Sequence, residues 1–176
     1  MVKQTFFNLP DEKKQRVTTA LLHEFSNHPL PDAQVARIVK EAEIARGAFY
    51  KYFDDLTDAY TYLYEKAIQD IHITMQPTRK FDPDFFYERV CTFVDQTGSS
   101  KYKALMKMHM LHNEAALPGS MKTNSEQLLH MTPEMWSAMV LSHEVINSVF
   151  ADPDNREKNL KRFKESLYLI DKGSKK

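Results

Sequence analysis

Apolar residues recur along this chain at intervals of three and four. The sets Val17, Leu21 and Phe25, then Val35, Ile38, Val39 and Ala42, then Phe86, Val90 and Phe93, and finally Leu160, Phe163, Leu167 and Ile170 all keep that spacing. It is the period of an amphipathic α-helix, and no segment repeats the strict two-residue alternation of a half-buried strand. The fold class predicted is all-α. Four glycines in 176 residues agree with that reading, because sheet proteins need more turn positions.

Punctuation between the stripes sets the expected element bounds. Pro10 starts a helix that runs to about Ser26, with Asp11 and Glu12 against the positive end of its dipole. NHPLP, residues 27–31, breaks it, and Asp32 is the expected N-cap of the second helix. Glu43-Ile44 forms a turn, a third short helix covers about Ala45 to Phe53, and Asp54 or Asp55 caps a fourth that ends near Met75. Asp82-Pro83 opens the next, which TGSS at 97–100 stops, and another spans Lys101 to about His112 before the helix-poor Leu117-Pro118-Gly119. Thr132-Pro133 and Asp152-Pro153 each set an N-cap before a proline at the first helical position, giving helices over 133–151 and 153–171. Residues 1–54 thus read as three short helices with a tight turn, and residues 55–176 as a larger bundle of about six.

The stretch EIARGAFYKYF, residues 43–53, raises the question of function. On a helix turning 100° per residue, Ala45, Phe49, Tyr52 and Phe53 group on one side. Gly47 and Lys51 lie opposite, flanked by Tyr50, with Arg46 and Ala48 at the rims. A glycine inside a helix costs on the order of 1 kcal/mol relative to alanine. That cost is tolerated where another surface approaches the backbone closely. A second helix after a brief turn, with small residues and donors at its exposed start, is what a helix-turn-helix inserts into a DNA major groove. Arg46 suits a bidentate contact to guanine, and Tyr50 and Lys51 suit phosphates. Ordinary packing of a short amphipathic helix remains the competing reading.

Residues 9–60 resemble the DNA-binding domain of TetR-family transcriptional regulators. The resemblance rests on Leu21 to Phe25, Ile38-Val39, the turn Ala42-Glu43-Ile44-Ala45, and Gly47-Ala48-Phe49-Tyr50-Lys51-Tyr52-Phe53. It implies that the remaining helices form a ligand-binding and dimerisation domain. The DNA-facing set expected from it is Gln34, Ala45, Arg46, Gly47, Ala48, Tyr50, Lys51 and Tyr52. Three positions depart from the family pattern: Glu43 replaces the turn glycine, Ala45 the helix-capping serine, and Leu56 a phosphate-contacting lysine, with Asp54 and Asp55 beside it. Glu43 therefore implies either a non-glycine at positive φ or a remodelled turn.

Overall charge adds nothing to the DNA reading. Lys plus Arg and Asp plus Glu number 24 each, and residues 1–56 carry eight of each, so any nucleic-acid role must come from local placement. The single Cys91 excludes an internal disulfide and suits a reducing compartment. No apolar run reaches the roughly 18 residues that span a bilayer, so no membrane association and a cytoplasmic location are expected. No Ser-His-Asp spacing, phosphate-binding glycine loop or paired-carboxylate motif points to an enzyme, and no cofactor is expected.

Methionines concentrate in the second half, where they can repack around varied ligands. With the aromatics they define an expected effector pocket of Tyr64, Phe86, Phe93, Met108, Trp136 and Met139, against the simpler reading of an ordinary core. The apolar arc of 133–151 and the stripe of the last helix define an expected two-fold dimer interface of Ile146, Val149, Phe150, Leu160, Phe163, Leu167 and Ile170. His109, His112 and Glu114, with His130 or His143, are weighed as metal ligands. Interhelical hydrogen bonding is the stronger reading, and no metal is expected. Three hypotheses follow: a dimeric repressor on a palindromic operator released by a small-molecule effector, a related protein with weakened DNA binding that works through a protein partner, and a small helical enzyme or metal protein using His109 and His112.

Overall fold

The computed structural model describes residues 2–71, 80–114 and 131–174. All regular elements among them are helical, as the periodicity predicts. They are α1 (Gln4–Phe7), α2 (Asp11–Asn27), α3 (Val35–Glu41), α4 (Arg46–Tyr52), α5 (Leu56–Asp70), α6 (Pro83–Ser99), α7 (Lys103–Met108), α8 (Pro133–Ala151) and α9 (Arg156–Ser174), with a π-helical turn at His109–Asn113. The chain divides into two compact units, Met1–His72 with Lys101–Leu117, and Ile73–Ser100 with Pro118–Lys176. No described helix is long and apolar enough to cross a membrane. The expected extension of α5 to Met75 and the helix-poor piece at 117–119 lie outside the described residues.

In the first unit α2 is the central element. Val17, Ala20, Leu21 and Phe25 are fully buried on it, and α3, α5 and α7 all pack against it. This unit reaches beyond residues 1–54 because α5 buries Ala59, Tyr60, Leu63 and Ala67, and α7 buries Leu105 and Met106. Three short helices alone bury a small share of their surface, and α5 and α7 extend the wall against α2. The N-terminal α1 has no counterpart in the predicted elements. Its Phe6 is fully buried, with its ring 5.0 Å from Phe53 and 4.9 Å from Tyr62.

The start of α3 differs from expectation. Asp32 ends a 3-10 turn, Leu30–Asp32, and Gln34 is the N-cap residue. Its own side chain makes no cap bond. Instead the carboxylate of Glu24 on α2 accepts from the Gln34 backbone N–H at 2.7 Å and from Arg37 Nη2 at 2.6 Å. Burial raises the Glu24 pKa, but the Arg37 and Gln34 donors outweigh it and hold the carboxyl below its ordinary value. By contrast Asp55 caps α5 as expected, accepting from Asp58 N at 2.8 Å, while Asp58 accepts from Asp54 N at 3.0 Å.

The π-helical turn after α7 brings His109 and Asn113 into the first unit's interior. Tyr60 Oη and His109 Nδ1 are hydrogen-bonded at 3.0 Å, and the Tyr64 ring stacks on His109 at 4.0 Å. Burial pushes the Tyr64 phenol up to about 12. The Leu30 N–H donates to Asn113 Oδ1 at 2.8 Å, holding the loop that leads into α3.

The second unit is built from α6, α8 and α9, which pack pairwise. Asp82 accepts from the N–H groups of Asp84 and Phe85 at the start of α6, and Thr132 accepts from Met135 N at the start of α8. Both caps stand where the sequence places them. Asp152-Pro153 opens a 3-10 turn, Pro153–Asn155, rather than the last α-helix, which begins at Arg156. The core joins Phe86, Val90 and Val94 of α6 to Ala138, Val145 and Val149 of α8 and to Leu160, Phe163 and Leu167 of α9. At the surface Arg156 pairs with Asp95 at 2.5 Å and Tyr168 Oη donates to Asp84 Oδ1 at 2.6 Å, tying α9 to α6.

Candidate nucleic-acid interface

The turn between α3 and α4 is built on a left-handed residue. Glu43 has φ of 53°, the one positive-φ non-glycine among the described residues. The Ile44 N–H bonds to Val39 O at 3.0 Å and the Glu43 N–H approaches Lys40 O at 3.4 Å. This is the Schellman arrangement that closes a helix C-terminus. Of the two alternatives that Glu43 raised, the first holds: the turn keeps its shape, and glutamate bears the left-handed backbone at a cost of about 1 kcal/mol. The hydrogen bonds and the burial of Ile38 and Ala42 just before it hold it there.

α4 is then anchored by Phe49 and Phe53, both fully buried. Ala45, which helical projection groups with them, is exposed. It precedes the first helical residue with an extended backbone, φ −67° and ψ 146°, so the 100° rule does not apply to it. Arg46, Gly47 and Lys51 are exposed, Tyr50 is 43% exposed, and Ala48 is half-buried. Gln34 is exposed at the start of α3. Tyr52 is a correction: it is only 4% exposed, its ring 5.9 Å from Phe6, and its burial removes it from the DNA-facing set.

A Cβ built on Gly47 would meet nothing within 4 Å. Packing within the chain therefore gives no reason for a glycine there, and the backbone of α4 is open to an approaching surface. Arg46 and Tyr50, and Gly47 and Lys51, each sit one turn apart, so the outward face is short and flat, with a cation at either end.

Electrostatics around this face are milder than the acids Asp54 and Asp55 suggest in sequence. Lys3 Nζ lies 2.9 Å from Asp54 Oδ1. That hydrogen bond is the leading cause that lowers the Asp54 carboxyl to about 2. Asp55 is committed to capping α5. Sequence reasoning missed Lys3 and Glu24, which support this site from 47 and 13 residues away along the chain. The Phe6-Phe7 pair before Pro10 was the one available signal that the N-terminal segment packs.

The other expected site residues are distributed differently. Tyr64 and Met108 belong to the first unit, and Phe86, Phe93, Trp136 and Met139 to the second. Phe86 is in the core of its unit, whereas Trp136 is 52% exposed on α8, so the six do not line one cavity within either unit. Of the expected dimer residues, Val149, Phe150, Leu160, Phe163 and Leu167 are buried inside the monomer. A stripe consumed by its own three-helix core has no surface left for a partner. Ile146 is partly buried against the same core, and Ile170 lines a shallow hollow of about 220 Å³ with Pro133 and Ser137. The apolar surface left open on α8 is Trp136, Met139 and Val140. His109 is engaged with Tyr60 and Tyr64, His112 is exposed, and His130 lies outside the described residues. Among the described residues no three His, Cys, Asp or Glu side chains gather as metal ligands.

No family model matches the chain, and no curated protein matches it by sequence. Solved structures do match by fold. A TetR-family transcriptional regulator from Chloroflexus aurantiacus J-10-FL superposes with a TM-score of 0.58 at 19% identity, covering 98% of both chains. A TetR transcriptional regulator from Rhodococcus sp. RHA1 superposes at 0.54 and 17% identity, covering 91% of this chain and 95% of its own. The chain shares the fold of these TetR-family transcriptional regulators.

Proposed function

We propose that this protein is a DNA-binding transcriptional regulator that inserts α4 into the major groove. The observation that carries the reading is the outward face of α4, where Gly47 has open space at its Cβ position and Arg46, Tyr50 and Lys51 stand exposed around it. In this role Arg46 reads a guanine edge, Tyr50 and Lys51 hold phosphates, and the bare Gly47 backbone lets the helix sit close to the bases. The intact turn at Glu43 supports it, since a remodelled turn would misdirect the helix.

The regulator works as a homodimer on a palindromic operator, its two α4 helices one DNA turn, roughly 34 Å, apart. Its partner surface is the Trp136, Met139 and Val140 face of α8, which the monomer leaves uncovered. The mode is repression released by a small-molecule effector, with a cytoplasmic location.

A mobility-shift assay on the protein's own promoter region at low salt tests this. Wild type should shift the DNA, and Arg46→Ala should weaken binding about 10- to 100-fold. Gly47→Ala separates packing from reading: it should raise stability by up to about 1 kcal/mol and still weaken binding. No shift at micromolar dimer overturns the DNA reading and leaves the one in which the chain acts through a protein partner. Trp136→Glu should give a monomer by sedimentation, and an unchanged dimer would remove the α8 face from the assignment.

A further inference from the structure

The reading helix α4 has seven residues and no side-chain cap at its N-terminus. A helix this short does not persist in water on its own propensity. Its last four carbonyls have no partners within the helix. One of them, Phe49 O, accepts from Phe53 N at 2.9 Å. Two more are met by a single residue far away in sequence. The Lys3 N–H donates to Tyr52 O at 2.9 Å, and Lys3 Nζ donates to Tyr50 O at 2.8 Å. The same ammonium pairs with Asp54, whose side chain is 56% exposed just beyond the helix end. Phe6 seats the arm behind this contact, packed on Tyr52 and Phe53.

We infer that Lys3 is a positioning residue for DNA recognition. It caps the C-terminus of the reading helix from outside, and it screens the Asp54 carboxylate from the operator phosphates. A cation at this point opposes the negative end of the helix dipole, so it stabilises the helix and suits the anionic surface at once. Since its Nζ is already committed to Tyr50 O and Asp54, Lys3 acts through α4 and not as a phosphate contact. This rests on the DNA-binding reading above.

The test uses the full-length protein and three variants, Lys3→Met, Lys3→Arg and Lys3→Met with Asp54→Asn. In Lys3→Met, hydrogen exchange at the α4 amides should speed up several-fold, while that of α8 and α9 stays as in wild type. Operator affinity should fall about tenfold, the scale of a lost charge-assisted hydrogen bond. Lys3→Arg should keep both properties, and adding Asp54→Asn should recover part of the affinity. The slope of log affinity against log salt should not change, because no phosphate contact is lost. A slope reduced by about one assigns Lys3 to a phosphate and overturns the positioning role. Unchanged α4 exchange, or unchanged affinity of Lys3→Met beside a wild type that binds, overturns it as well. A wild type that fails to bind any operator overturns the DNA reading instead, and the exchange data then report on the clamp alone.

Discussion

The two ends of the chain make helices in opposite ways. α9 has nineteen residues and carries its own apolar stripe of Leu160, Phe163 and Leu167, each at most 4% exposed against α6 and α8. α4 has seven residues, an alanine where a cap belongs, and an outward face with a glycine in it. It is held by Phe49 and Phe53 beneath, by Glu24 through the start of α3, and by Lys3 from the N-terminal arm. α4 leaves Arg46, Gly47 and Lys51 exposed and so cannot draw its stability from packing on that face. Its support is moved to residues distant in sequence, whereas a helix that only closes a core is supported by its own stripe.

This contrast is open to attack at several points. The largest effect is expected in the α9 stripe: Leu167→Ala, at a fully buried site, should cost about 2–5 kcal/mol in urea unfolding. A cost near zero would mean that the stripe is not core, and would return it to the surface as a partner face. Next is Glu24→Gln, which leaves Arg37 and the Gln34 N–H with a weaker acceptor and should cost about 2–3 kcal/mol near neutral pH. The sign of its pH dependence follows from the lowered carboxyl pKa. The folded protein holds Glu24 ionised below its ordinary value of 4.5, so that stabilisation is present above 4.5 and is lost as pH falls through the folded-state value. The stability gap between wild type and Glu24→Gln should therefore narrow in acid, and a gap that widens would contradict the assigned ion pair.

Smaller effects should appear at the turn and at the head of α4. Glu43→Gly relieves the left-handed backbone and should raise stability by about 1 kcal/mol in thermal unfolding. A loss of stability there would show that Glu43 makes a compensating contact. Ala45→Ser supplies the missing N-cap and should add roughly 0.5–1 kcal/mol, with no change in the second unit. If these two gains leave operator affinity unchanged while Lys3→Met lowers it, the support of α4 is specific to its C-terminal end.

Much of the fold is written in short-range signals. Asp55, Asp82-Pro83 and Thr132-Pro133 cap helices whose first N–H groups lie two or three residues away, so their positions alone announce them. The outward face of α4 was legible for the same reason: Arg46, Gly47, Tyr50 and Lys51 fall together on any helix drawn through 46–52, and Glu43 marks the turn before it. The capping of α3 was not, because Asp32 has the right chemistry by local rules. Only the fold brings Glu24 to the Gln34 N–H.

Helical periodicity determines which residues share a face, because the turn per residue is a property of the backbone. Which way a face points depends on the elements packed against it, and periodicity carries no record of them. Leu160, Phe163 and Leu167 read as a seam for a second chain and are consumed by α6 and α8 of the same chain. Trp136 and Met139 read as the lining of a pocket and stand on the surface of α8. Lys3 read as one more charge in a neutral chain, and tertiary structure alone set its ammonium on the end of α4.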